Sequence, residues 1–236
     1  EIGHELRQIL ASIKHRNCAA LFLYGLTVGI ASGLGMALYL YNTTYFFGFS
    51  GSQIAVTGLG VFISPLIAYW AAPHFGRLFG KKQAAIIAIL INVSLYPIPY
   101  ILLLNGYWPE LGSWAGLYIY TGFIVIEVVC SIIGGVLMDS MMADVVEESE
   151  VSTNRRSEGL FYAARGFAGK AISAGGIIGA GTIISIVGLD GVTSLDMVTD
   201  QIRFDLASFF LPLYCGLYFL GLVIVSTYKI DREKHS

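Results

Sequence analysis

Four ionisable residues stand inside long apolar runs of this 236-residue chain: Glu127, Asp139, Arg165 and Lys170. A charge at the centre of a bilayer costs at least ~2.5–3.5 kcal/mol on insertion scales. Such residues therefore pair, face a water-filled cavity, or mark the path of an ion or substrate. Buried pairs also lock helices together without further function, so both uses stay open for these four. Nothing else in the chain has the spacing of a reaction centre. His4, His15, His74 and His235 fall at polar ends or loops and form no Ser–His–Asp arrangement, which argues against an enzyme. Cys18, Cys130 and Cys215 are far apart in apolar runs and form neither a CxxC nor a metal pattern. They read as small core residues. No catalytic residue and no metal site is expected.

The elements that must position these charges are long and apolar. The chain is 56% hydrophobic and 13% charged, with mean hydropathy +0.70. Soluble domains carry about 25% charged residues, so a lipid bilayer is the expected surrounding. The net charge of -2 says nothing about nucleic acid, but no basic stripe appears, so no nucleic-acid partner is expected. Segments of the ~20 residues needed to cross a bilayer recur six times, near 18–46, 53–74, 83–105, 113–143, 158–188 and 204–228. The expected fold is an all-α membrane protein, a bundle of six transmembrane helices within 17–229, followed by a tail at 230–236. Pro97 and Pro99 should kink the third span and Pro212 the sixth. Residues 1–16 carry Ile2, Leu6, Ile9, Leu10 and Ile13 on one helical face and read as an amphipathic surface helix. The start has no initiator methionine and no signal peptide, which suggests a piece of a longer chain. Gly25, Gly29 and Gly33, and Gly175 and Gly179, repeat at every fourth residue and suit close helix contact.

Lysine and arginine set the orientation. Eleven of them fall on one side (Arg7, Lys14, Arg16, Arg77, Lys81, Lys82, Arg155, Arg156, Lys229, Arg232, Lys234) and only Arg203 on the other. Both termini are therefore expected in the cytoplasm. With a rise of ~1.5 Å per residue, Lys170 lies ~20 Å and Arg165 ~12 Å from the cytoplasmic end of the fifth span. Glu127 lies ~26 Å and Asp139 ~8 Å up the fourth. Glu127 is thus roughly level with Lys170, and Asp139 with Arg165. Five residues of separation point Arg165 and Lys170 ~140° apart, so they cannot share one cavity wall. Lys170 is assigned to a cavity and Arg165 to a helix-fastening pair with Asp139. Across the cytoplasmic loops, Asp144, Glu147, Glu148 and Glu150 oppose Arg155 and Arg156, with Lys81 and Lys82 alongside, as a charged latch would require.

The stretch SMMADVVEESEVSTNRRSEGLFYAARGFAGKAISAGG resembles the loop between the tenth and eleventh helices of the glycoside–pentoside–hexuronide:cation symporters, the melibiose permease-like transporters of the major facilitator superfamily. The matching residues are Ala143, Asp144, Glu147, Glu150, Arg156, Glu158, Tyr162 and Lys170. HFGRLFGKK, from His74 to Lys82, is similar to the loop motif of each major facilitator half, through Arg77, Gly80, Lys81 and Lys82. Gly76 stands where that motif usually has Asp. The resemblance implies that this chain is the C-terminal half of a twelve-helix symporter of a sugar or glycoside in a bacterial inner membrane. Residues 1–16 would be the linker from an N-terminal six-helix half. That half would hold most of the coupling cation, Na⁺ or H⁺, and most of the small-molecule substrate. No cofactor is implied. Lys170 would sit near both sites and supply positive charge when the cation leaves, with Gly166 exposing backbone one turn below it.

Ile124 to Leu160 contains no aromatic residue on which a sugar could stack, whereas YLYNTTYFF offers Tyr39, Tyr41, Asn42, Thr43, Thr44 and Tyr45. That cluster reads either as a substrate contact or as an interfacial aromatic belt. A lipid or other non-sugar carrier on the same fold, and a non-transporting half kept for assembly, are the competing readings.

Overall fold

The computed structural model describes residues 16–153 and 158–228. Within its helices, the side chains at 16–18, 148–153, 158–165, 167, 168, 170, 171 and 173 lie outside the description. The amphipathic helix expected before residue 16, the tail beyond 228, and Arg155 and Arg156 fall outside it as well. The described residues form helices and turns and no strand. In chain order they are α1 (Arg16–Tyr41), a π-helical turn (Asn42–Phe46), α2 (Gly51–Phe79), α3 (Lys81–Leu95), α4 (Ile98–Leu104), α5 (Trp114–Thr153), α6 (Glu158–Ile186) and α7 (Asp200–Ser226). Two short 3₁₀ turns, Leu189–Gly191 and Leu195–Met197, join α6 to α7. Among the described residues, five stretches are long and apolar enough to cross a membrane: Ala19–Phe46, Gly51–Phe79, Lys81–Leu104, Trp114–Glu147 and Asp200–Ser226. The apolar part of α6, Ala174–Ile186, is shorter. The bundle is that of an all-α membrane protein with six helical passes, α3 and α4 together making the third.

Local chemistry explains the boundaries. Ser50 and Gln53 form a capping box at the start of α2: the Gln53 amide N–H donates to Ser50 Oγ at 3.4 Å, and the Ser50 N–H to Gln53 Oε1 at 2.9 Å. Thr199 caps α7 by accepting from the Ile202 amide at 3.2 Å. Gly80 alone separates α2 from α3, at φ 81° and ψ 149°. Only glycine adopts that region cheaply, so a one-residue corner here requires it. The third pass breaks as expected, ending α3 at Leu95 and restarting at Ile98 after Pro97. Pro212, by contrast, lies inside α7, which continues through it as one helix.

α1 packs along α6 and α7 and touches α5. α5 packs along α2 and α3, and α3 along α7. Small residues make the closest approaches, as suits helices in lipid. A Cβ built on Gly25 would lie 2.9 Å from the Met138 sulfur, and one on Gly29 2.7 Å from Ile172 Cγ2. The tightest crossing is Gly176, where a Cβ would lie 2.6 Å from the Gly33 carbonyl carbon. On α6 it is therefore Gly176, rather than Gly175, that meets the glycine row of α1. A Cβ on Gly175 would meet nothing within 4 Å.

The bundle is apolar outward and mixed inward. Along α2, Gln53, Thr57, Ser64, Ala68, Ala72 and Gly76 are buried, while Leu59, Phe62, Leu66 and Trp70 are exposed. This polarity is expected where the surroundings are lipid, because backbone and polar side chains must be satisfied inside.

Candidate functional site

A polar cluster occupies the middle of the bundle, where α3, α5 and α7 meet. The Tyr214 hydroxyl donates to Glu127 Oε1 at 2.8 Å, and Asn92 Oδ1 lies 3.4 Å from the same hydroxyl. Tyr214 and Asn92 are buried and Glu127 partly so. Asn92 stands ~16 Å along α3 from Lys81, and Tyr214 ~18 Å along α7 from Ser226. Lys82 Nζ reaches the Ser226 carbonyl, so those two reference ends are level. The cluster therefore lies near the middle of a hydrocarbon core of ~30 Å.

Tyrosines extend the cluster both ways. Toward the acidic end, Tyr96 stacks on Tyr214 with ring centres 4.2 Å apart, and its hydroxyl lies 3.4 Å from that of Tyr100. Toward the basic end, Tyr218 lies one turn from Tyr214, and its hydroxyl is 3.4 Å from Ser131 Oγ. There Tyr24, Asn92, Ser131 and Tyr218 line a cavity of about 10 Å³, room for about one water molecule. Gly134 makes space for the Tyr24 hydroxyl, since a Cβ on it would lie 3.1 Å away. Among the described residues, the Tyr24 hydroxyl and Asn92 Nδ2 have no hydrogen-bond partner.

The basic end holds a second site. Lys81 Nζ donates to both carboxylate oxygens of Asp144, at 2.7 and 2.6 Å, tying the corner between α2 and α3 to α5. A lysine in the first turn of a helix opposes the helix dipole, and Asp144 offsets that cost. Lys82 turns instead to the carbonyls of Ser226 and Tyr228, both at 2.7 Å, and so caps the C-terminal end of α7. Arg77 and Glu147 are exposed. Gly76, at the position where the loop motif usually carries Asp, is buried, and a Cβ on it would lie 3.2 Å from Leu137 Cδ2. Close packing of α2 on α5 occupies the place of an acidic side chain.

At the opposite end, Asn42 lies in the π-helical turn, 1% exposed, with neither amide atom hydrogen-bonded among the described residues. Thr43 turns its hydroxyl back to the carbonyls of Tyr39 and Leu40. Tyr41 is half-buried, its ring 6.0 Å from that of Tyr45. The turn leads into a clasp between loops: the Gly112 amide donates to the Phe47 carbonyl at 3.0 Å, and Gln53 Nε2 to the Gly112 carbonyl at 2.7 Å. Gly112 has φ 68°, and a Cβ there would lie 2.6 Å from the Gly48 carbonyl oxygen.

The structure brings Glu127 together with residues from α3 and α7 that the sequence reading did not include. Tyr214 and Tyr218, and Tyr96 and Tyr100, are spaced at i,i+4, the signal by which they could have been found. The side chains of Arg165, Lys170, Glu150 and Glu158 lie outside the described residues, so the pairs Glu127–Lys170 and Asp139–Arg165 do too. Among the described residues α6 packs along α1 and not along α5. Gly166 is exposed on α6, and a Cβ on it would meet nothing within 4 Å.

A family model described as MFS/sugar transport protein matches residues 2–232. No curated relative and no solved structure matches the chain.

Proposed function

The chain belongs to the MFS/sugar transport protein family, and we propose that it is the C-terminal half of a cation-coupled symporter of a sugar or glycoside. The observation that carries the proposal is the family match, which runs through every described helix. In this reading the substrate binds at mid-membrane depth between two six-helix halves, which rock about it. Both termini face the cytoplasm in this reading, which the distribution of lysine and arginine supports. Lys170 is the residue assigned to the cavity in this reading, with Gly166 one turn below it, its charge compensating the site when the coupling Na⁺ or H⁺ has left.

The reading includes a charged cytoplasmic gate, supported by the ion pair at the basic end. Lys81 and Asp144 hold α3 to α5 within this half, and Glu147, Glu150, Arg155, Arg156 and Glu158 extend the charge pattern along the neighbouring loop, where the other half would meet it. Each exposed pair is worth only ~0–1 kcal/mol. Several together bias two states that differ by a few kcal/mol without locking either.

The test is uptake of labelled glycosides, pentoses and hexuronides by vesicles holding the intact polypeptide, under imposed Na⁺ or H⁺ gradients. Gradient-dependent uptake of one of them is expected, and Lys170→Ala should abolish it while expression stays near normal. Uptake indifferent to every gradient, or unchanged in Lys170→Ala, would refute the coupling scheme.

A further inference from the structure

We infer that Glu127, Tyr214 and Asn92 form a proton-binding site inside this bundle, built as a hydrogen-bond switch across three helices. The geometry supplies one mobile hydrogen and two acceptors. The Tyr214 hydroxyl has Glu127 Oε1 at 2.8 Å and Asn92 Oδ1 at 3.4 Å, and a phenol carries one proton to donate. With the carboxylate charged, the hydroxyl donates to Glu127, the shorter and charge-assisted bond. When Glu127 takes up a proton, it becomes a donor itself. Its new O–H then donates to the Tyr214 oxygen, and the Tyr214 hydrogen turns to Asn92 Oδ1. One proton is bound, no other bond changes, and the pairing that ties α5 to α7 now also ties α7 to α3.

The surroundings favour a proton as the ligand. Among the described residues, the titratable groups around Glu127 are phenols and one thiol: Tyr96 just past the end of α3, Tyr100 on α4, Tyr120 and Cys130 on α5, Tyr214 and Tyr218 on α7, with Tyr24 and Tyr39 of α1 beyond them. On the neighbouring α2, Gly60 packs against Thr121 and Val125 of α5. Among the described residues no basic side chain pairs with Glu127. The side chains of Arg165 and Lys170, on α6, lie outside the described residues. A single carboxylate with hydroxyl and amide neighbours suits a proton better than a metal ion, which would draw more anionic oxygens. A route also leads away from it. One turn toward the basic end, the cavity lined by Tyr24, Asn92, Ser131 and Tyr218 has room for one water molecule, and the Tyr24 hydroxyl and Asn92 Nδ2 have no hydrogen-bond partner among the described residues. A water there would link Asn92 to the hydroxyls beyond.

The inference rests on the transport reading for its use in the cycle, but proton binding is measurable without transport. The intact protein in lipid is titrated by pH-difference infrared spectroscopy, which reads the carboxylic C=O stretch. A band that grows on acidification is expected, and Glu127→Gln, an amide of the same shape, should remove it. Tyr214→Phe takes away the donor of the charged form and should move the midpoint to higher pH. This second variant carries the test if Glu127→Gln does not fold. A carboxylic band undiminished in Glu127→Gln, or a midpoint unmoved in Tyr214→Phe, would overturn the inference. Absence of sugar uptake by the unaltered protein would strike the transport reading and leave this titration standing. Sugar uptake without the titrating band would strike only the switch.

Discussion

Two acids of α5 are held by contacts of nearly equal length, Asp144 by Lys81 at 2.6 Å and Glu127 by Tyr214 at 2.8 Å, yet the two contacts do different work. The Lys81 and Asp144 side chains keep 31% and 40% of their surface exposed. Water stands ready to replace each partner, so breaking the pair costs little. Glu127 lies mid-bundle against a phenol that is 1% exposed. Among the described residues no basic side chain pairs with it, and a buried acceptor that loses its donor bears a desolvation penalty. Length therefore says little about strength. In the transport reading proposed above, a contact that yields during the cycle suits the solvated rim, and one that retains a charge or a proton suits the interior.

The comparison can be broken or sharpened by substitution. The largest effect is expected where the interior is closed by backbone alone. Gly176→Leu would drive a side chain into the Gly33 carbonyl, which has no rotamer by which to yield. Loss of folded protein is expected, seen as loss of a monodisperse peak in detergent chromatography. Gly175→Leu, on the open side of α6, should be tolerated. Equal behaviour of the two would refute the crossing. Next comes Tyr214→Phe, which leaves Glu127 without its donor and should lower stability by ~1–3 kcal/mol. Because the site is buried, that loss should hardly change with salt. The smallest effect belongs to the rim. A double-mutant cycle on Lys81→Ala and Asp144→Ala should give a coupling of ~0–1 kcal/mol that fades as salt rises. Cysteine-accessibility labelling should nonetheless show the balance of inward and outward states displaced. A rim coupling larger than the Tyr214→Phe loss, or one indifferent to salt, would reverse the order proposed.

Much of the fold was legible. Six apolar stretches, the break at Pro97, the glycine row of α1, and a charged α5 end beside Lys81 all follow from local composition and spacing. Glu127 stood out too, because a carboxylate in an apolar run carries a cost that calls for a partner. Its partners were not recognisable. Apolar periodicity marks the buried face of a soluble helix, but here the outward faces are as apolar as the inward ones, as Leu59, Phe62 and Trp70 illustrate on α2. Asn92 and Tyr214 are separated by 122 residues of chain, and no spacing rule links them.

What the sequence determined by itself are the properties fixed within one helix or one turn. They include which stretches are apolar and long enough to cross a membrane, where a proline or a lone glycine interrupts them, and which carry charge at a cost lipid would not tolerate. The tertiary structure decided which faces meet. It set Gly176 rather than Gly175 against α1, packed the described part of α6 along α1, and gave Glu127 a phenol and an amide as neighbours. The physical reason is that helix formation satisfies the backbone locally. Helix pairing in lipid depends instead on close fit and a few buried polar contacts between segments far apart in the chain.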